Sequence, residues 1–305
     1  MKTLLLFLFI LLSACTQVVD KGPVKPGERM QVITTTGILA DAVKNITGDA
    51  ADVEAVMGSG VDPHLYKATQ GDLNKLTEAD VIVYNGLHLE GKMGEVLEKL
   101  SRLKTVVAAT ENIPENQLRQ LGDGSQNHDP HIWFDVALWQ LVVQHLSEEL
   151  QKKDPANAAL YKQNTTLYLQ QLTQLDSLVK TEIAAIPVQQ RILITAHDAF
   201  GYFGDAYKIK VRGLQGISTV SEFGLQDVSS LVNYIVANKI KAVFVESSVS
   251  PKAIEAVQEG SRQKGHIVKT GGTLYADALG AAGTPEGTYI GMVKYNVRII
   301  VAALK

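Results

Sequence analysis

From Ala156 to Ile186 the chain runs without a glycine or a proline. Asp154 and Pro155 suit the start of a helix there, because aspartate caps well and proline fits the first turn. Leu160, Leu167, Leu172, Leu175, Leu178, Val179 and Ile183 recur at spacings compatible with one helical face, and Pro187 ends the run. About 30 residues at a rise of 1.5 Å make a helix of roughly 45 Å. Both sides of it show the same alternation. Before it, strands are predicted over 30–36, 52–57, 80–85 and 104–108, with helices over 37–46, 69–76 and 136–152. After it, strands are predicted over 191–195, 209–214, 241–245 and 266–269, with helices over 225–238, 251–263 and 285–303. Strands that alternate with helices imply parallel βαβ units. The fold class is therefore α/β: two pseudo-symmetric βα lobes with parallel sheets, 30–153 and 187–305, joined by one long rigid helix over 154–186. With no glycine or internal proline to kink it, that helix predicts little change of lobe angle. Movement is expected in the glycine-bearing loops 58–66, 86–91 and 271–280, with Asp277 on its glycine-flanked loop as the residue that withdraws to release a bound ion.

The first residues belong to no lobe. Lys2 precedes an apolar run, 4–12, that is too short to span a bilayer. Leu12-Ser13-Ala14-Cys15 then looks like a lipobox, so 1–14 reads as a lipoprotein signal peptide and Cys15 as the lipidated residue. Residues 15–29, with Gly22, Pro23, Pro26 and Gly27, read as a lipidated cysteine on a flexible tether. Cys15 is the only cysteine of the 305 residues, which excludes an intrachain disulfide and a thiolate metal site. A formal net charge of -3, with no block of like charges, gives no basis for a nucleic-acid surface.

Chemistry concentrates in loops. His128-Asp-Pro-His131-Ile-Trp-Phe-Asp135 packs imidazoles, carboxylates and aromatics into one proline-shaped segment, with Asp135 as the cap of the following helix. His64 ends a Gly-Ser-Gly-Val-Asp-Pro-His loop after the second strand, His197 follows the strand over 191–195, and Asp277 lies between Gly272 and Gly280. Ligands of open parallel sheets bind at the carboxyl ends of strands. Each lobe offers two candidates, so one ion between the lobes could take all of them. Neutral imidazoles with a carboxylate suit a borderline transition metal such as zinc or manganese, whereas calcium or magnesium wants an oxygen shell. Asp277 by itself reads as a loop-capping carboxylate; the loop histidines make it a ligand candidate. His88 and His128 are weaker candidates, and His145 and His266 fall inside predicted elements.

At these residues the chain resembles the cluster A-I substrate-binding lipoproteins of zinc and manganese ABC transporters. The resemblance rests on Val61-Asp-Pro-His64-Leu-Tyr66, Asp129-Pro-His131-Ile-Trp-Phe-Asp135, Thr195-Ala-His197-Asp-Ala-Phe-Gly-Tyr-Phe203, Phe244-Val-Glu246-Ser-Ser248 and Leu274-Tyr-Ala-Asp277-Ala-Leu-Gly280. It implies His64, His131, His197 and Asp277 as metal ligands, and Glu246 as a carboxylate that orients a ligand. It implies a monomer, tethered outside the cytoplasmic membrane, that passes zinc or manganese to an ABC permease. Three departures stand out. The segment 111–127 lacks the histidine-rich loop of zinc-dedicated members, and His197 stands where manganese-dedicated members commonly carry glutamate. Glu222-Phe223 replaces the usual Glu-Pro, a local loop difference. Two other classes are weighed beside transport. Three histidines with an open position could activate water in a metal-dependent hydrolase, but no His-Glu-x-x-His motif supplies a base, which leaves Asp198 and Glu246. A surface adhesin finds neither support nor opposition in these residues.

Overall fold

The computed structural model describes residues 20–121 and 127–305, so Cys15 and the segment read as a signal peptide lie outside the described residues. The elements in order are β1 (Met30–Thr36), α1 (Gly37–Thr47), β2 (Ala51–Met57), α2 (Gln70–Glu78), β3 (Val81–Tyr84), α3 (Gly94–Ser101), β4 (Thr105–Ala108), α4 (Val136–Lys153), α5 (Ala158–Ala184), β5 (Ile192–His197), α6 (Gly201–Tyr207), β6 (Lys210–Gln215), α7 (Leu225–Ala237), β7 (Ala242–Glu246), α8 (Lys252–Gln263), β8 (Lys269–Leu274) and α9 (Tyr289–Leu304). The first sheet is parallel throughout, in the order β2-β1-β3-β4. In the second half β5 pairs with β6 and β7 with β8, both parallel, and β5 runs beside β7.

Strand alternation sets the layers. Val32, Val81 and Val83 turn to one face of the first sheet, and Ile33 and Ile82 to the other. Leu193, Ala242 and Phe244 likewise oppose Ile194, Ala196 and Val243 in the second half. The outer faces are covered by α2 and α3 in one half and by α7 and α8 in the other. The inner faces share one apolar core with α1, α4, α5 and α9, running from Met30 to Leu304. The long helix is thus embedded in that core along its length.

Helix α5 buries Tyr161, Thr165, Tyr168, Leu172, Leu175, Val179 and Ile183, at steps of three and four residues. Leu160, Leu167 and Leu178, assigned to the apolar face from sequence, are exposed. The seam runs through two tyrosines instead, because their hydroxyls find acceptors: Tyr161 donates to Asp154 Oδ2 at 2.6 Å and Tyr168 to Asp41 Oδ2 at 3.5 Å. Asp154 accordingly caps no backbone N–H with its side chain, and a 3-10 turn over Pro155–Asn157 precedes the helix. The helix starts beside the first residue of β4, where Lys153 Nζ donates to Thr105 Oγ1 at 3.2 Å. It ends where Arg191 donates to the carbonyls of Ala184 and Ile186, both at 2.8 Å, just before β5. It therefore runs from the strand-start edge of one sheet to that of the other, and the carboxyl ends of both sheets face the middle of the molecule.

Three further expectations change. The strand assigned to 266–269 lies later, as β8, and contains Gly271 and Gly272. A Cβ on Gly271 would meet Phe244 Cε1 at 2.5 Å and Ala303 Cβ at 2.8 Å, so the glycines let α9 approach the sheet instead of loosening a loop. Gly271→Ala is expected to destabilise the fold by about 1–3 kcal/mol through overpacking, read as a lower melting temperature. Ser250, a cap candidate by residue type for the helix expected over 251–263, does not cap α8, whose N-cap position is Pro251. The tether assigned to 15–29 is docked from Asp20 onward: Asp20 pairs with the buried Lys153, Lys21 with Asp80 at 3.0 Å, and Val24 N donates to Lys153 O at 2.9 Å. Helices α3 and α6 had no sequence signal; both are short and open with glycine.

Candidate metal centre

Asp-Pro-His occurs twice, and both copies fold the same way. Asp62 Oδ1 accepts the backbone N–H of His64 at 2.9 Å, and Asp129 Oδ1 that of His131 at 3.0 Å. Each is an Asx turn that throws the histidine inward from a loop fixed by proline. His131 is held further, since its Nδ1 donates to the same Asp129 Oδ1 at 2.7 Å. His197 closes β5, where its backbone N donates to Glu246 Oε1 at 2.9 Å and its Nδ1 lies 2.5 Å from Glu246 Oε2. A carboxylate on Nδ1 keeps a proton on that nitrogen and turns Nε2 away from it, so both rings present Nε2 to the interior.

Those nitrogens converge. His64 Nε2 and His131 Nε2 are 3.3 Å apart. Asp277 lies on the loop after β8, its Oδ1 3.5 Å from His131 Nε2 and its Oδ2 3.3 Å from His197 Nε2. Ligand atoms of all four residues lie within 4.8 Å of one another, and all four residues are buried. Neither Asp277 oxygen has a hydrogen-bond partner. Buried carboxylate oxygens are rarely left so, and nitrogen lone pairs facing a carboxylate are the donor set of a borderline transition metal. The residues present fit one such ion.

The charges agree with that geometry. Burial pulls the His64 imidazole down to about 3. Burial also acts against a charged His197, but the Glu246 and Asp277 carboxylates hold it well above the ordinary histidine value. Burial pushes Asp277 up, yet His197, with His131 and His64, brings it below the usual carboxylate range. Without metal, His197 carries the proton that balances the buried carboxylates.

The loops differ in how they are tied. Trp133 Nε1 donates to Ala276 O at 3.0 Å and Tyr289 OH to Trp133 O at 2.7 Å, which pins the Asp277 loop against the His131 segment. Ser59 Oγ donates to Leu279 O at 2.9 Å and Thr219 Oγ1 to Asp62 Oδ2 at 2.6 Å, joining the His64 loop to the second half. The remaining histidines stay out of the cluster. His128 Nε2 sits 3.1 Å from Glu115 Oε1, His145 Nδ1 pairs with Asn112 at 2.8 Å, and His266 Nε2, in a turn before β8 and not in a strand, pairs with Ile240 O at 2.7 Å. His88 occupies a surface loop with φ of 63°. Sequence reasoning gave Asp129 no role of its own; the repeated Asp-Pro-His was the available signal.

Residues 32–303 match the protein family described as zinc-uptake complex component A, periplasmic. The chain belongs to this family. Among relatives of this zinc-uptake family, the manganese-binding lipoprotein MntA of Bacillus subtilis is 48% identical over 300 residues, covering 98% of this chain and 97% of the relative. The zinc-binding protein TroA of Treponema pallidum is also 48% identical, over 273 residues, covering 90% of this chain and 88% of TroA. The solved structure of periplasmic TroA superposes with a TM-score of 0.89 over 91% of this chain and 99% of that one. Family members are thus solute-binding proteins of metal ABC transporters, and equally similar ones carry names for different metals. No helix among the described residues is long and apolar enough to cross a membrane.

Proposed function

We propose that this chain captures one divalent transition metal ion, zinc or manganese, outside the cytoplasmic membrane and delivers it to an ABC permease. His64, His131, His197 and Asp277 are the ligands; Glu246 orients His197, and Asp129 orients His131. The observation that carries this is the convergence of imidazole nitrogens on a buried Asp277 carboxylate that no hydrogen bond satisfies. The ion is cargo. Glu246 directs both its oxygens to His197, which leaves it no free oxygen to act as a general base and favours a binding protein over an enzyme. Titration calorimetry is expected to give one tight site per chain, zinc outranking manganese in vitro as the general affinity order requires; several equal sites, or none, would refute the reading. Metal-loaded protein that hydrolysed generic ester or peptide substrates would argue instead for the enzyme.

Cys15 anchors the chain through lipid, and the protein works as a monomer. Cys15→Ser is expected to move the protein from the membrane fraction to the soluble one, because stable anchoring takes more than one acyl chain. Unchanged fractionation would remove the anchor.

Release proceeds by loop movement. Helix α5 is about 40 Å long at 1.5 Å per residue and sits in the core shared by both halves. The Asp277 loop is tied down by Trp133, whereas the His64 loop has Gly60 at φ 72° and exposes Leu65. Among the described residues His64 also has no carboxylate holding its ring as His131 and His197 have. His64 is therefore the ligand that withdraws, in place of Asp277, which the glycines of its loop suggest from sequence. Hydrogen exchange on metal removal is expected to rise over 58–66 and stay low over 275–280. Spin labels on the two lobes are expected to move by a few ångströms, small beside the roughly 40 Å helix; movement of about 10 Å or more would reveal a hinge of the kind seen in wide domain closure.

A further inference from the structure

Arg119 is no ligand, and its side chain is 35% exposed, yet it touches the carboxylate from which His131 hangs. Its Nε lies 3.4 Å from Asp129 Oδ2, and its Nη1 lies 2.8 Å from Asp205 Oδ2. Its backbone meets Tyr202 OH at 2.9 Å, and its carbonyl accepts the N–H of Asp129 at 2.8 Å. Asp205 and Tyr202 belong to α6, the helix that follows His197, so Arg119 spans from the first half of the molecule to the second. The fold makes room for it: a Cβ on Gly201 would collide with Arg119 Nε and Cδ and come within 2.7 Å of Asp129 Oδ2. Asp129 is fully buried, gives Oδ1 to the backbone and ring of His131, and has no hydrogen bond on Oδ2. A buried carboxylate stripped of its counter-charge is costly and relaxes by moving.

We infer that Arg119 is a positioning residue, a latch that holds Asp129, and through it the His131 ring, in the metal-binding pose. The inference rests on the reading that His131 is a ligand. With Arg119 seated against Oδ2, Asp129 keeps its Oδ1 on His131 Nδ1 at 2.7 Å, so Nε2 faces the cluster. Its outer arm pairs with Asp205, which is 67% exposed. Loosening that outer pair weakens His131 from the surface and opens a route to release that leaves the ligands untouched.

The test measures zinc affinity by competition with a chromogenic chelator, and the zinc off-rate by stopped flow, with the melting temperature of each metal-free variant as the folding control. Arg119→Gln and Gly201→Ala, which expel the guanidinium by different chemistry, are each expected to weaken binding by about tenfold, at the lower end of the 10–100-fold known for partners of metal ligands. Asp205→Asn is expected to raise the off-rate with a smaller loss of affinity, and Arg119→Lys to recover part of the loss. Asp129→Asn is expected to lose more, and Arg119→Gln to add nothing in that background, because its effect passes through Asp129. Binding by both Arg119→Gln and Gly201→Ala within about twofold of the parent, or losses from Arg119→Gln and Asp129→Asn that multiply as independent effects do, overturns the latch. If Arg119→Gln fails to fold, Gly201→Ala and Asp205→Asn decide the matter. His131→Ala separates the two levels: parent-like binding there refutes the ligand assignment, whereas lost binding there with unaffected Arg119→Gln refutes the latch alone.

Discussion

Replacing His131 by alanine is expected to weaken metal binding by more than about 100-fold, beyond the loss that follows removal of a ligand's hydrogen-bond partner. His131 stands at the centre of the cluster, with its Nε2 3.3 Å from His64 Nε2 and 3.5 Å from Asp277 Oδ1. Its removal takes a nitrogen donor that the fold has already oriented and leaves Asp277 facing fewer nitrogens. Glu246→Gln is expected to cost less, about 10–100-fold, because His197 remains present but loses the charge that fixes its ring. Calorimetry or chelator competition on the purified variants checks both. Near-native binding by both His64→Ala and His197→Ala would falsify the ligand set as a whole.

The second large effect is on pH. Imidazole binds metal only when neutral, so protons compete with the ion. From sequence, three histidines compete alike. The structure separates them. His64, lowered to about 3 by burial, is already neutral across the working range and yields no proton there. His197, held well above its ordinary value of 6.5 by Glu246 and Asp277, must release its proton when the ion arrives. Apparent affinity is therefore expected to fall by about tenfold per pH unit for each such proton as pH drops from about 7 to 5. Calorimetry in buffers of different ionisation enthalpy is expected to count a proton from His197; His64→Ala leaves that count unchanged, and Glu246→Gln lowers it. The sign for stability follows. A histidine whose folded pKa is raised above the unfolded 6.5 contributes its full stabilisation below 6.5 and loses it as pH rises through the raised value. In the metal-free protein the His197 ion pair weakens on that side, while the ion binds better there. The gain in melting temperature on adding metal is thus expected to be larger near pH 8 than near pH 6, in line with ligand linkage. An affinity profile flat between about 5 and 7 would mean that His197 gives up no proton when the ion binds and is not a ligand.

Much of this was legible in the residues themselves. A run of β-branched residues marked β1, the run without glycine or proline marked α5, and Asp135 announced the start of α4, where it accepts from Ala137 N at 2.9 Å and Leu138 N at 3.2 Å. These are local effects of backbone sterics, capping and periodicity, so they act through a few neighbouring residues. The candidate ligands were legible too, because proline and glycine shape the loops that carry histidine at strand ends. What the sequence left open depended on partners distant along the chain. The apolar face of α5 was misassigned because Tyr161 and Tyr168 bury their rings only when Asp154 and Asp41 receive their hydroxyls. The Gly271-Gly272 pair looked like the start of a mobile loop and is instead a packing surface for α9, since nothing local says that Phe244, Ile299 and Ala303 press on it.

The sequence by itself determined which residue types could bind metal, on which loops, and in what order of strands and helices. Only the tertiary structure decided their company: Asp129 and Glu246 each behind a ring nitrogen, Arg119 reaching across to Asp205, and Asp277 left without a hydrogen bond. The reason is physical. A donor atom's basicity and direction are set by burial and by charges within a few ångströms, and here the four candidate ligands come from opposite ends of a helix about 40 Å long.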